Sequence, residues 1–157
     1  MRVRELLTQE HTHINVHGVS IKRLLDQVAQ FVAGTCDGLT EQQVFDALIA
    51  RERLGSTGIG EGIAIPHCRI ANCNKPVGML LRLDQPIDFE SIDGKPVDLV
   101  FVLLVPESNP EQHLKTLSHL AALFNEPGFR DQLRSASSAA NLFERATSSE
   151  EELRLAS

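Results

Sequence analysis

Residues 58–69 read GIGEGIAIPHCR, and the residue in this segment best suited to chemistry is His67. Histidine is the side chain whose unperturbed pKa lies near neutrality. One neutral ring nitrogen can attack phosphorus while the other is held by an acceptor. Pro66 fixes its own φ and pushes Ile65 toward an extended conformation, so His67 should leave the end of a stiff strand. Glycines 58, 60 and 62 allow a bulge, a tight hairpin or a close backbone approach. Their spacing is not the G-x-G-x-x-G of a dinucleotide site. A metal site built on His67, Cys68 and Cys73 lacks the paired C-x₂-C spacing of structural zinc. Cys68 as a nucleophile would need a base and an oxyanion hole, and the sequence identifies neither.

A second imidazole, His113, sits in the first turn of an expected helix after Asn109 and Pro110. Free amides and the positive end of the helix dipole gather there and favour an anion. The same field tends to keep His113 neutral. It falls on the edge of an apolar stripe formed by Leu114, Leu117, Leu120, Ala121 and Phe124, whereas His119 points away as a solvent-exposed bystander. His11, His13 and His17 form a loose cluster without an evident partner. Arg51 and Arg53 close an earlier helix, where basic residues suit the dipole. An arginine fork is also the natural partner of a phosphoryl group. Spacing leaves open which of the two turns inward.

The elements that must position these residues follow from periodicity. Ile21, Leu24, Leu25, Val28, Phe31 and Val32 have helical spacing, opened by Ser20 and closed by Gly34. Thr40 with Gln43 predicts a capping box for a second helix running to about Arg53, with Val44, Leu48 and Ile49 on its apolar face. GIGEGIAIP reads as short strands broken by glycine. Strands are expected at 77–83 and 98–105, the latter central and buried on both faces. A third long helix follows Asn109 as N-cap, with Pro110 at its first position. Shorter helices are expected near 128–135 and 138–146, with the tail TSSEEELRLAS either helical or frayed. The sum is an α/β fold: one domain over 1–157, a mixed β-sheet flanked by helices on both faces.

Composition narrows the function. The 157 residues carry a formal net charge of -6, against a nucleic-acid binder working through a basic face. No apolar run approaches the length of a membrane span, and no signal peptide is evident, so a cytoplasmic location is expected. Three cysteines form no disulfide framework and suit a reducing compartment.

The segment ARERLGSTGIGEGIAIPH resembles the type-2 enzyme IIA domains of the bacterial phosphoenolpyruvate phosphotransferase system, in particular the nitrogen-related branch, enzyme IIA-Ntr. PIDFESIDGKPVDLVFVLLVP and HLKTLSHLA follow in the family's order, so the likeness covers nearly the whole chain. The resemblance implies that His67 carries a phosphoryl group, that His113 is the second active-site histidine, and that Arg51 lies beside His67. It implies a small histidine phosphocarrier protein as donor, and neither metal nor organic cofactor. It implies a regulator, signalling nitrogen, carbon and potassium status through its phosphorylation state to potassium-handling proteins or kinases. The alternatives are a sugar-specific subunit that passes phosphate to a permease and a binding-only regulator without phosphotransfer. Two positions depart from the family: Cys68 replaces a common glycine and puts an oxidisable thiol beside the nucleophile, and Glu61 places an acid near the donor's docking site.

Overall fold

A computed structural model describes residues 1–156 and shows a mixed six-stranded sheet with helices on both faces. The strands are β1 (Thr12–Val16), β2 (Gly58–Gly60), β3 (Ile63–Ala64), β4 (His67–Ile70), β5 (Val77–Ile87) and β6 (Val97–Pro106). The helices are α1 (Val3–Leu6), α2 (Ile21–Thr35), α3 (Glu41–Leu54), α4 (Pro110–Phe124), α5 (Pro127–Arg134) and α6 (Ala139–Ala156). The strand order is β1-β5-β6-β3-β2, with β4 also paired to β6. β6 is central, as its unbroken apolar run requires: Leu99 to Val105 are all buried. Its antiparallel partner β5 runs on to Ile87, four residues past the expected end, resuming its pairing with Val97 after a register shift.

Two cores sandwich this sheet. On one face Leu24, Leu25, Val28 and Val32 of α2 and Val44 and Leu48 of α3 pack against Met79, Leu81, Val100, Val102 and Leu104. On the other, Leu120, Leu123 and Phe124 of α4, Phe129 and Leu133 of α5 and Leu142 of α6 pack against Leu80, Leu99, Phe101 and Leu103. The alternation of strand side chains divides β5 and β6 between the two cores residue by residue.

Helix caps match their sequence signals with two differences. Ser20 accepts from the Arg23 amide and Thr40 from the Gln43 amide. Helix α2 passes through Gly34 to Thr35 rather than stopping there. The Gln43 side chain does not return to Thr40; it donates to the Ala71 carbonyl, tying α3 to the loop after β4. Asn109 caps α4 through the Gln112 amide, itself in the left-handed region (φ 60°) that asparagine tolerates. Leu114, placed by periodicity on the apolar stripe, is 63% exposed; Thr116 and Leu123 take the buried side instead. Helix α6 runs on through the tail to Ala156, the helical one of the two expectations for it.

The segment around His67 is one strand line with a break. β3 and β4 both run parallel to β6 with the same offset, Ile63 opposite Leu99 and His67 opposite Leu103. Pro66 lies at the break, where a residue without an amide proton interrupts a ladder most cheaply. His67 therefore opens β4 rather than following the end of a strand. β2 turns back onto β3 through Glu61 (φ 57°) and Gly62 (φ 80°). A Cβ on Gly62 would collide with the Arg134 guanidinium and the Asp98 carboxylate, which is why glycine is required at this turn.

Candidate active site

Cys68 and Ile70 of β4 belong to the core beneath α2 and α3, so alternation turns His67 and Arg69 out of that core. His67 is half-buried, and its Nδ1 lies 2.7 Å from the Ile65 carbonyl. A carbonyl only accepts, so Nδ1 carries the proton and Nε2 the lone pair. The Nε of Arg51 approaches that Nε2 to 3.3 Å. Burial holds the His67 pKa below its ordinary value, and the Arg51 cation adds to the effect against the Ile65 carbonyl, which opposes it. The ring is thus neutral at pH 7, with its lone pair against a guanidinium.

Arg51 is fixed from its other side by donating Nη1 to the Gly55 carbonyl (2.9 Å), where α3 ends. Arg53 is exposed and, on the opposite side of the helix end, lines a hollow with Val19, Ile21, Ile49 and Ile87. The structure therefore brings Arg51, and not Arg53, to His67.

The His113 ring lies 5.7 Å from that of His67, centroid to centroid, at the start of α4. Burial, then the charges of His67 and Arg69, lower its pKa. Its Nδ1 is buried and has no hydrogen-bond partner among the described residues. Such an atom costs about 1–3 kcal/mol unless something bonds it. An oxygen held between His67 and His113 is one group that could. Arg69 was not anticipated; it joins Arg51, Cys68 and Glu107 around an open hollow of about 520 Å³. Its signal was its place two residues from His67, on the same side of a strand.

The remaining candidate side chains lie in other surroundings. Cys68 is buried, and burial pushes its thiol up to about 12, so it is no ready thiolate beside His67. His67, Cys68 and Cys73 do not converge: Cys73 donates to the Lys75 carbonyl, and among the described residues no three His, Cys, Asp or Glu side chains gather as a metal site would need. The Glu61 carboxylate pairs with Lys95 at 3.2 Å. His119 is no bystander: its Nε2 lies 2.7 Å from Oε2 of the buried Glu150. The N-terminal histidines also have neighbours. His11 bonds Thr35, His13 packs on Phe31 with ring centroids 4.3 Å apart, and His17 pairs with Asp84.

Comparison with known proteins gives a consistent result. The family model of the EIIA 2 component of the phosphoenolpyruvate-dependent sugar phosphotransferase system matches residues 5–148. The nitrogen regulatory protein of Pseudomonas aeruginosa is 48% identical over 144 residues, which cover 92% of this chain and 94% of that protein. That of Escherichia coli is 39% identical over 151 residues, 96% of this chain and 92% of that protein. The crystal structure of nitrogen regulatory protein IIA-Ntr from Neisseria meningitidis matches with a TM-score of 0.85 at 38% identity, over 92% of this chain and 99% of that one. No helix among the described residues is long and apolar enough to cross a membrane.

Proposed function

The chain belongs to the EIIA 2 family of the phosphoenolpyruvate-dependent sugar phosphotransferase system, in its nitrogen regulatory branch, and from that membership we propose that His67 accepts a phosphoryl group from a histidine phosphocarrier protein. The observation that carries the reading is the pair of contacts on one imidazole: Nδ1–H held by Ile65, Nε2 unprotonated and facing Arg51. The Nε2 lone pair attacks the phosphorus of the donor phosphohistidine in line. The P–N bond to the donor breaks and its electron pair leaves with the donor nitrogen. The Nδ1 proton stays on His67, shared with the Ile65 carbonyl. Arg51 neutralises the equatorial oxygens, and His113, from the helix start, bonds one of them. A carrier of this kind should hold its phosphoryl group without a general base for water, because hydrolysis would waste it.

The protein acts in this reading as a cytoplasmic regulator. The phosphoryl oxygens bring roughly one and a half to two negative charges, and the ring that keeps its Nδ1 proton becomes an imidazolium, so the half-buried site gains up to about one net negative charge. A target that covers His67 with acidic or apolar surface is then repelled, and one that presents an arginine is attracted. Potassium-handling proteins and kinases are the target classes. The names of the similar proteins favour this role over passing phosphate to a sugar permease.

Incubation with phosphoenolpyruvate, enzyme I and the phosphocarrier tests the first step by mass. One acid-labile phosphate is expected on the native protein and none on His67→Ala; an unchanged gain by the variant sinks the assignment. Pull-downs with native protein, His67→Ala and His67→Asp test the second. Transfer of the phosphate to a purified sugar permease as the sole outcome would replace the regulatory role.

A further inference from the structure

Glu52 lies next to Arg51 on α3, and its carboxylate takes both donors of one residue. Oε2 accepts the Thr57 amide at 2.9 Å and Oε1 accepts the Thr57 hydroxyl at 2.6 Å. Thr57 is 4% exposed, so neither donor can turn to water instead. The Thr57 carbonyl in turn accepts the Ile65 amide at 3.0 Å. The Ile65 carbonyl accepts Nδ1–H of His67 at 2.7 Å. A continuous path of three links, the first of them a pair of hydrogen bonds, thus runs from Glu52 to the nitrogen that fixes the tautomer of His67.

Arg51 is anchored to the same loop through Gly55, two residues before Thr57. The two groups that contact His67, the guanidinium and the Ile65 carbonyl, are therefore referred to one short segment, 55–57, that Glu52 holds. Without Glu52, Thr57 can rotate away and carry the Ile65 peptide with it. The negative charge of Glu52 also favours the protonated form of His67, against the downward push of burial.

We propose that Glu52, acting through Thr57 and the Ile65 peptide, is the positioning residue that selects the Nδ1–H tautomer of His67 and aims Nε2 at the incoming phosphorus. This rests on His67 being the phosphoryl acceptor. An amide at 52 can accept only through its oxygen, so in Glu52→Gln one Thr57 donor faces an NH₂ group. Thr57→Val loses the hydroxyl alone, and Thr57→Ser keeps both donors.

The test combines ¹⁵N NMR of the His67 ring in the unphosphorylated protein with steady-state phosphotransfer from the phosphocarrier. Glu52→Gln and Thr57→Val should lower the Nδ1–H fraction. Each should reduce kcat about tenfold, as small misalignments do, with KM for the donor unchanged. Thr57→Ser should restore both. If both variants melt at lower temperature yet keep the native tautomer fraction and kcat, Glu52 is merely a structural cap and the inference is overturned. A rise in KM alone overturns it as well. Should the native protein take no phosphate at His67, the proposed function fails, while the tautomer measurement still decides whether Glu52 sets the ring.

Discussion

The carbonyl of Ile65 accepts the Nδ1–H of His67 across Pro66, at 2.7 Å. That contact closes a three-residue turn at the break between β3 and β4. In the proposed transfer it decides which nitrogen reacts. The phosphoryl group should therefore be found on Nε2, and ¹⁵N–³¹P coupling in the phosphoprotein should show it there. Phosphate on Nδ1 would require the Ile65 hydrogen bond to be broken, and would overturn the mechanism.

Arg51 meets Nε2 in the resting state and should move its fork onto the phosphoryl oxygens in transfer. Arg51→Ala should slow phosphorylation roughly 10²- to 10³-fold, the scale for loss of one preorganised donor of this kind. Arg51→Lys should recover only part of it, because an ammonium cannot reproduce the fork that bonds His67 and Gly55 together. Arg53→Ala is the control. Its side chain is exposed and away from His67, and the transfer rate should stay within about twofold. A large loss in Arg53→Ala with a small one in Arg51→Ala would reverse the assignment.

His113 should support transfer without carrying phosphate. Its buried Nδ1 and its place 5.7 Å from the His67 ring suit it to bond a phosphoryl oxygen. His113→Ala is expected to slow labelling of His67 about tenfold to a hundredfold and still reach one phosphate per chain. Complete loss of labelling, or native label on His113, would count against this role.

The pH dependence follows from four histidines with lowered pKa: His11, His13, His67 and His113, each with burial as the first cause. In the unfolded chain they titrate near the ordinary value of about 6.5. The folded state binds fewer protons below that pH, so stability is fully present above about 6.5 and falls as pH drops through the folded values. The urea midpoint should be level from about pH 8 to 7 and decline toward pH 5. His11→Gln should flatten part of the slope. In Arg51→Ala, NMR titration should find the His67 pKa moved up, since one of the influences holding it down is gone. A midpoint that rises on acidification would contradict the burial of these rings.

Much of this arrangement was legible in local sequence, and what was not has a common physical character. Ser20, Thr40, Asn109 and Pro110 announce helix starts through their own short-range bonding, and Ile65-Pro66 announces the break before His67. β1 was missed although Thr12, Ile14 and Val16 alternate in the β-branched manner of a strand. Its partner is β5, with Thr12 opposite Leu80, and the interspersed His13 and Asn15 mask the apolar signal. Arg53 and Arg51 could not be told apart because the choice depends on the angle at which α3 meets β4. Spacing alone does not place Gln43, which a tertiary partner at Ala71 draws from the cap, or Leu114, which stays exposed while Thr116 and Leu123 turn inward. Glu52 and Thr57 lay inside the quoted motif without a visible role, since a hydrogen-bond path through peptide groups leaves no residue pattern.

His119 gives the sharpest departure from sequence logic, and its consequence concerns stability rather than transfer. Helical phase turns it from the stripe of α4, and its side chain is 43% exposed. Yet its Nε2 lies 2.7 Å from Oε2 of Glu150, which is only 3% exposed on α6. The same carboxylate accepts the Val3 amide at 2.8 and 3.1 Å, so Glu150 joins α4, α6 and the N-terminal turn. Removing the imidazole leaves a buried carboxylate short of one of its hydrogen bonds. His119→Ala should cost about 1–3 kcal/mol of unfolding free energy and leave the rate of His67 phosphorylation near native. Glu150→Ala should cost as much or more, because the Val3 amide also loses its acceptor. The double variant should cost less than the sum of the two, since each single change already breaks the shared bond. Denaturant unfolding of the four proteins measures this cycle. Strict additivity would mean that His119 and Glu150 contribute separately, and a native-like His119→Ala would mean that the contact adds nothing to the fold.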